Sequence, residues 1–132
     1  PPLVAVALVL AAEVGAKLSM ATLACVGRPS HDGFGATVID GNGPRRLVAA
    51  LAVGLPAALI VVPATAAAVL TGPLLALCLA GWADRRLGGV SGDTFGAANE
   101  LTRAVALHIS VATWSLFGGV WPVPLGDMGV LA

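Results

Sequence analysis

The sequence predicts an all-α protein: a polytopic transmembrane helical bundle of about four spans with two cytoplasmic polar loops. Three observations predict it. Of the 132 residues, 58% are hydrophobic and only 11% charged, whereas a soluble domain carries about 25% charged residues. The mean hydropathy is +0.93, and a soluble domain of this size leaves too much of its surface in water to hide so much apolar area. The polar residues collect in two Gly-rich stretches between apolar runs, with arginines at their edges.

Net charge is zero, with no basic or acidic block. Nucleic-acid binding needs a concentrated positive field, so that class is excluded. Cys25 and Cys78 lie in apolar runs without a partner at metal-ligand spacing, and they read as small core residues rather than a disulfide or zinc site. The chain opens on Pro1-Pro2 and enters an apolar run with no basic stretch ahead of it. It reads as a piece of a longer protein and not as a signal peptide.

The first predicted span, 3–26, is interrupted only by Glu13 and Lys17. Four residues apart with the acid first, these two face each other on one side of a helix. They form either a packing ion pair or the polar wall of a site, because a charge in a span must face other helices or a wet cavity. A loop over 27–46 follows, holding the turn formers Asp40, Gly41, Asn42 and Gly43 in a row, with Arg45 and Arg46 at its edge.

No charged residue occurs from 47 to 83. One helix of that length would measure about 55 Å, far beyond a hydrocarbon core of about 30 Å. The run also holds Pro56, Pro63 and Gly72-Pro73. A helical hairpin with arms 46–62 and 65–82, turning near Pro63, fits better, with Pro56 and Pro73 kinking its arms. A second polar stretch, 84–96, leads to a last span over 97–120. Trp121-Pro122-Val123-Pro124 ends that span, with Asp127 beyond. Trp82 and Trp121 fall at span ends, where indole rings favour the interface. Arg28, Arg45 and Arg46 lie in the first loop, Arg85 and Arg86 in the second. An even number of crossings separates the loops, so both face one side, the cytoplasmic one by the positive-inside tendency.

The chemistry is concentrated in 85–103. Gly88, Gly89, Gly92 and Gly96 let the backbone approach a ligand closely. A helix beginning near Ser91 or Gly92 points its first amides at the loop, a favourable place for phosphate oxygens. There is no Gly-Lys-Ser/Thr, which excludes a nucleotide-hydrolysing P-loop. Asp93, Gly96, Glu100, Arg103 and Leu107 fall near one helix face, with Asn99 just off it. Asp93 and Glu100, carboxylates at the mouth of a span, suit a hard divalent ion such as Mg²⁺ bridging to substrate phosphates. The plainer reading is a helix cap at Ser91 or Asp93 with glycines making the turn, although a cap needs no charges at Glu100 and Arg103. His108, flanked by apolar residues, reads as a packing residue rather than a catalyst. Lys17 is intramembrane by pattern and placed to reach a phosphate.

Over 86–101, Arg86, Gly88, Gly89, Ser91, Gly92, Asp93, Gly96, Ala97 and Glu100 match the form R-x-G-G-x-T/S-G-D-x-x-G-A-x-x-E. This resembles the C-terminal signature of the cobalamin synthase family, the adenosylcobinamide-GDP ribazoletransferases. A second block over 17–35, with Arg28-Pro29 and Asp32-Gly33-Phe34-Gly35, is similar to the family's basic residue in a helix followed by A-R-P-x-G-L-G. Lys17 stands where arginine is usual, and Ser30 and His31 lengthen the turn. Together the blocks cover most of the chain between Glu13 and Phe117. The family's N-terminal Asp-rich motif is absent, so the likeness is to the C-terminal half.

The resemblance implies a transferase of the last steps of cobalamin biosynthesis, joining adenosylcobinamide-GDP to α-ribazole or its 5′-phosphate with release of GMP. It implies Mg²⁺ as cofactor, and the lipid bilayer and the missing N-terminal half as partners. The expected place is the cell inner membrane, and this fragment alone is expected to be inactive. By the same resemblance Asp93 and Glu100 are catalytic and metal-binding. Lys17, Arg28, Arg86, Gly88, Gly89, Ser91, Gly92 and Asn99 are assigned to substrate phosphates. Two other classes stay open. One is a non-catalytic polytopic segment or small transporter fragment, since transporters also use broken helices and buried charges. The other is a membrane phosphotransferase acting on lipid alcohols, whose different acidic signature is not found.

Overall fold

The computed structural model describes residues 2–117. The Trp121-Pro122-Val123-Pro124 stop, Asp127 and the final residues of the predicted 97–120 span lie outside the described residues. Within them the fold is all-helical, with a single isolated bridge between extended residues. Helix α1 spans Pro2–Val26, α2 Phe34–Ile39, α3 Pro44–Gly54, α4 Ala64–Leu87 and α5 Gly92–Phe117, and a 3₁₀ turn over Leu55–Leu59 extends α3.

Helices α1, α4 and α5 pack on one another as the body of the bundle, while α3 leans on α1. The α1–α4 seam is built from small residues, which let two backbones approach closely. Ala11, Ala12, Gly15 and Ala16 on α1 are buried, as are Ala68, Gly72 and Ala76 on α4. A Cβ on Gly15 would lie 2.6 Å from the Ala68 carbonyl oxygen, and one on Gly72 would collide with the carbonyl oxygen of Gly15. Three apolar clusters stack along the bundle. Val4, Leu8 and Ala64 close one end, Leu18, Val69 and Ala106 fill the middle, and Leu23, Val90 and Phe95 close the end that carries the polar segments. The outer surface is also apolar, with Leu3, Val6, Leu70, Leu74 and Leu77 exposed.

Two helices, Pro2–Val26 and Ala64–Leu87, are long and apolar enough to cross a membrane. Helix α5 is as long, but Asp93, Glu100, Arg103 and His108 interrupt its apolar character. The predicted 3–26 span matches α1. The 65–82 arm runs on to Leu87, so Arg85 and Arg86 occupy the last turn of α4 rather than a loop. There their charges face the negative end of the helix dipole. Helix α5 begins at Gly92, five residues before the predicted span, and the second polar loop shrinks to 88–91.

The 46–62 arm is not one helix. Its α-helical part stops at Gly54, and the tighter 3₁₀ turn carries Pro56, which has no N–H to continue the α ladder. The chain does turn at Pro63, which caps α4. The expected Glu13–Lys17 pair is also corrected: each side chain reaches across to α5 instead, Glu13 to Arg103 and Lys17 to Asn99.

Gly72→Val is expected to destabilise the bundle by about 1–3 kcal/mol through overpacking of the α1–α4 seam. A fall in the thermal unfolding midpoint in detergent checks this. An unchanged midpoint would mean the two backbones are not in contact there.

Candidate functional site

The two polar segments meet at one end of the bundle through their backbones. Val90 N–H donates to the Arg28 carbonyl at 2.6 Å, and Ser30 N–H donates to the Val90 carbonyl at 3.1 Å. These bonds form a short parallel bridge between Pro29 and Val90. The paired glycines before it serve this junction. Gly88 caps α4 in the left-handed conformation, φ 74°, a common way to end a helix. Gly89 has φ 142°, and a Cβ there would lie 2.6 Å from the Arg28 carbonyl oxygen and 2.7 Å from Ser30 N. The close approach that Gly89 permits is therefore to the chain's own backbone.

Most amides of the Gly-rich turn are already engaged. Gly88 and Gly89 both donate to the Ala83 carbonyl, Val90 to Arg28, and Ser91 to the Thr94 hydroxyl at 3.2 Å. Thr94 N–H returns a 3.4 Å bond to the Ser91 hydroxyl. This reciprocal arrangement is a helix cap on α5, with Ser91 holding orphan amides of the first turn. The cap at Ser91 is therefore present. Gly92 and Asp93 follow the cap in the first turn, and the Asp93 side chain stands exposed.

On the exposed side of the α1–α5 contact, a chain of polar contacts links the two helices. Lys17 Nζ donates to Asn99 Oδ1 at 2.9 Å, and Asn99 Nδ2 donates to Glu100 Oε1 at 3.0 Å. Arg103 Nη1 donates to both Glu100 oxygens, at 3.1 and 3.0 Å, while Arg103 Nη2 donates to Glu13 Oε2 at 3.2 Å. Arg103 Nε also pairs with the second Glu13 oxygen. Two cations, two carboxylates and an amide alternate, so each charge has a counter-charge or a dipole against it. Glu13 and Lys17 also wall a mostly apolar groove between α1 and α3, with Leu10, Val14, Ala50 and Val53.

Of the residues singled out from sequence, Lys17, Asn99 and Glu100 thus come together directly. Arg28 is largely solvent-exposed and reaches Asp84 Oδ2 at 3.4 Å. Arg86 is exposed at the end of α4. His108 bonds its own helix at Ala104 O, 2.7 Å, and Cys25 and Cys78 are free thiols.

Glu13, Asp84 and Arg103 were not among the predicted site residues. The signal for Arg103 was its i,i+3 spacing from Glu100. For Glu13 the local Lys17 spacing pointed to the wrong partner, and the Arg28–Asp84 pair spans 56 positions that no local spacing connects.

Among the described residues, no three or more His, Cys, Asp or Glu side chains gather as a metal cluster. Mg²⁺ needs only one or two carboxylates when substrate phosphates and water complete its shell. The exposed Asp93 carboxylate fits that role. Glu100, with both oxygens on the Arg103 guanidinium, fits the support of that site better than direct ligation.

The profile of the cobalamin-5-phosphate synthase family matches residues 2–111. The chain belongs to this family. It is 47% identical over 120 residues to the adenosylcobinamide-GDP ribazoletransferase of Haloquadratum walsbyi, covering 87% of this chain and 47% of that protein. It is 43% identical to the enzyme of the same name from Halorubrum lacusprofundi, covering 89% and 46%. To that of Halobacterium salinarum it is 46% identical, covering 88% and 59%. The chain spans about half the length of the first two of these curated relatives. No solved structure matches it.

The segments 17–35 and 86–101 meet at the Pro29–Val90 bridge, and the glycines there are testable. Gly88→Ala should cost about 1–2 kcal/mol for its left-handed backbone, with open space around it. Gly89→Ala adds a collision with the Arg28–Ser30 backbone and should separate the two loops. Limited proteolysis in the 27–33 loop reports this: faster cleavage in the Gly89 variant only. Equal cleavage rates in the two variants would contradict the junction.

Proposed function

We propose that this chain forms half of the active site of an adenosylcobinamide-GDP ribazoletransferase, acting in the last steps of cobalamin assembly. The α-ribazole hydroxyl attacks the phosphate attached to the corrinoid, a new P–O bond forms, and GMP leaves with the electrons of the broken bond. α-Ribazole 5′-phosphate enters in the same way where it is the acceptor. The observation that carries this reading is the backbone bridge that joins both motif blocks into one polar end beside Asp93. The names of the relatives support it as well. Nothing in the comparisons favours a transporter fragment.

In this reading Asp93 holds Mg²⁺, which when bound supplies positive charge to the departing phosphate. Asp93 also orients the incoming hydroxyl. Glu100 is held by Arg103 and Asn99 and steadies the same end of α5. Arg28, Arg86 and Lys17 neutralise substrate phosphates, with Gly92 at the helix start and Asn99 setting the position of Lys17. Gly88, Gly89 and Ser91 contribute by shaping the turn that presents Asp93.

The bundle sits in the cell membrane with four crossings, of which α3 and its 3₁₀ extension make the shortest. The polar end faces the cytoplasm, where nucleotide-activated substrates are found, and the exposed leucines and valines of α1 and α4 face lipid or the remaining half of the enzyme. That half is the chain's principal partner.

Asp93→Asn, introduced into the enzyme expressed from its complete gene, should lower kcat by about a hundredfold or more and shift the Mg²⁺ requirement. Steady-state turnover against Mg²⁺ concentration measures both. Unchanged turnover with unchanged Mg²⁺ dependence would remove Asp93 from the metal and from the reacting hydroxyl.

A further inference from the structure

Beside Asp93 lies a cleft of about 410 Å³ between the C-terminal part of α4, the start of α5 and the first polar loop. One wall is apolar, formed by Leu79, Trp82 and Leu87 of α4. The Trp82 ring is about half exposed, at 48%. The polar part of the lining includes Ser30, His31 and Asp93. The Ser30 hydroxyl and His31 Nδ1 are hydrogen-bonded at 2.8 Å.

The volume falls in the range of small-molecule sites, and a mainly apolar lining with a few convergent polar groups is their usual composition. No lysine or arginine lines the cleft, and Asp93 adds a negative charge at its edge. Away from Asp93, this lining suits an uncharged, partly polar part of a ligand better than a bare phosphate.

We propose that this cleft binds the bicyclic heteroaromatic base of a nucleoside substrate, stacked on Trp82, with sugar hydroxyls on the Ser30–His31 pair. The proposal rests on the transferase reading and deepens it by assigning a base-binding subsite to residues that reading leaves unused. Indole stacking suits any bicyclic base, because every base offers a π face. Ser30 and His31 then supply the hydroxyl contacts. Two substrate moieties share the required chemistry: the benzimidazole nucleoside and the guanosine of the activated corrinoid.

The test uses the enzyme expressed from its complete gene, with Trp82→Ala and Trp82→Phe, varying α-ribazole and adenosylcobinamide-GDP separately. The expected result is a rise of about tenfold or more in the KM of one substrate for the alanine variant, with kcat largely kept. Trp82→Phe should recover most of that loss. A rise for α-ribazole places the benzimidazole in the cleft, and a rise for adenosylcobinamide-GDP places the guanine there.

Unchanged KM values for both substrates in Trp82→Ala would overturn the proposal and leave Trp82 as a bilayer anchor. A loss of kcat alone would do the same. A direct measurement keeps the idea falsifiable if the alanine variant does not fold. In the enzyme expressed from its complete gene, saturating α-ribazole or GDP should quench the share of tryptophan emission that Trp82→Phe removes. No quenching by either would also overturn it. Quenching does not depend on turnover, so wild-type protein that quenches but transfers nothing would contradict the transferase reading and spare the cleft.

Discussion

A charge in an apolar bundle must find its counter-charge within reach of its own side chain, or it costs several kcal/mol. In this protein a chain of partly exposed charges ties the register of α1 to that of α5. Glu13 is met by Arg103, Arg103 by Glu100, Glu100 by Asn99, and Asn99 by Lys17. Sliding either helix by one turn would break both contacts that cross between them, Glu13–Arg103 and Lys17–Asn99. The stripe on α5 that carries Asp93 and Glu100 is thereby held at a fixed height relative to α1. The loop that leaves α1 at Gly27 consequently arrives beside the loop that enters α5.

A second constraint acts where those loops meet. The backbone of 28–30 runs against Val90, and only a residue without a side chain fits at 89. Helix capping and site construction are here one act. Gly88 ends α4, Gly89 admits the neighbouring loop, and Ser91 with Thr94 starts α5, leaving Asp93 exposed in its first turn. The α1–α4 seam makes this geometry rigid, because Gly15 and Gly72 bring those two helices into backbone contact.

Much of this was legible in the residues. The lengths of the apolar runs located α1 and α4, and the turn at Pro63 followed from proline chemistry. The family likeness of 86–101 agreed with the profile that covers most of the chain. What local spacing could not reach were contacts between distant segments. The i,i+4 rule paired Glu13 with Lys17, yet Glu13 meets the two-pronged guanidinium of Arg103 on α5 and Lys17 donates to Asn99 there. Arg85 and Arg86 were read as loop residues because charge normally ends an apolar helix, whereas they fit the last turn of α4 through the dipole. The apolar run after Arg46 hid a change from α to 3₁₀ geometry at Gly54, since hydropathy is blind to a missing proline N–H. The glycine pair looked like a ligand cradle because a left-handed backbone and a close approach have the same sequence signal whether the neighbour is a phosphate or a peptide.

The Glu13–Arg103 contact is the most direct point at which to probe the account. A double-mutant cycle with Glu13→Gln, Arg103→Gln and the pair together, followed by thermal unfolding in detergent, isolates its coupling. The account predicts a measurable coupling, so the double variant should be less destabilised than the two single losses added. Additive losses would mean that the two side chains do not act on each other and that the register of α1 and α5 has another origin.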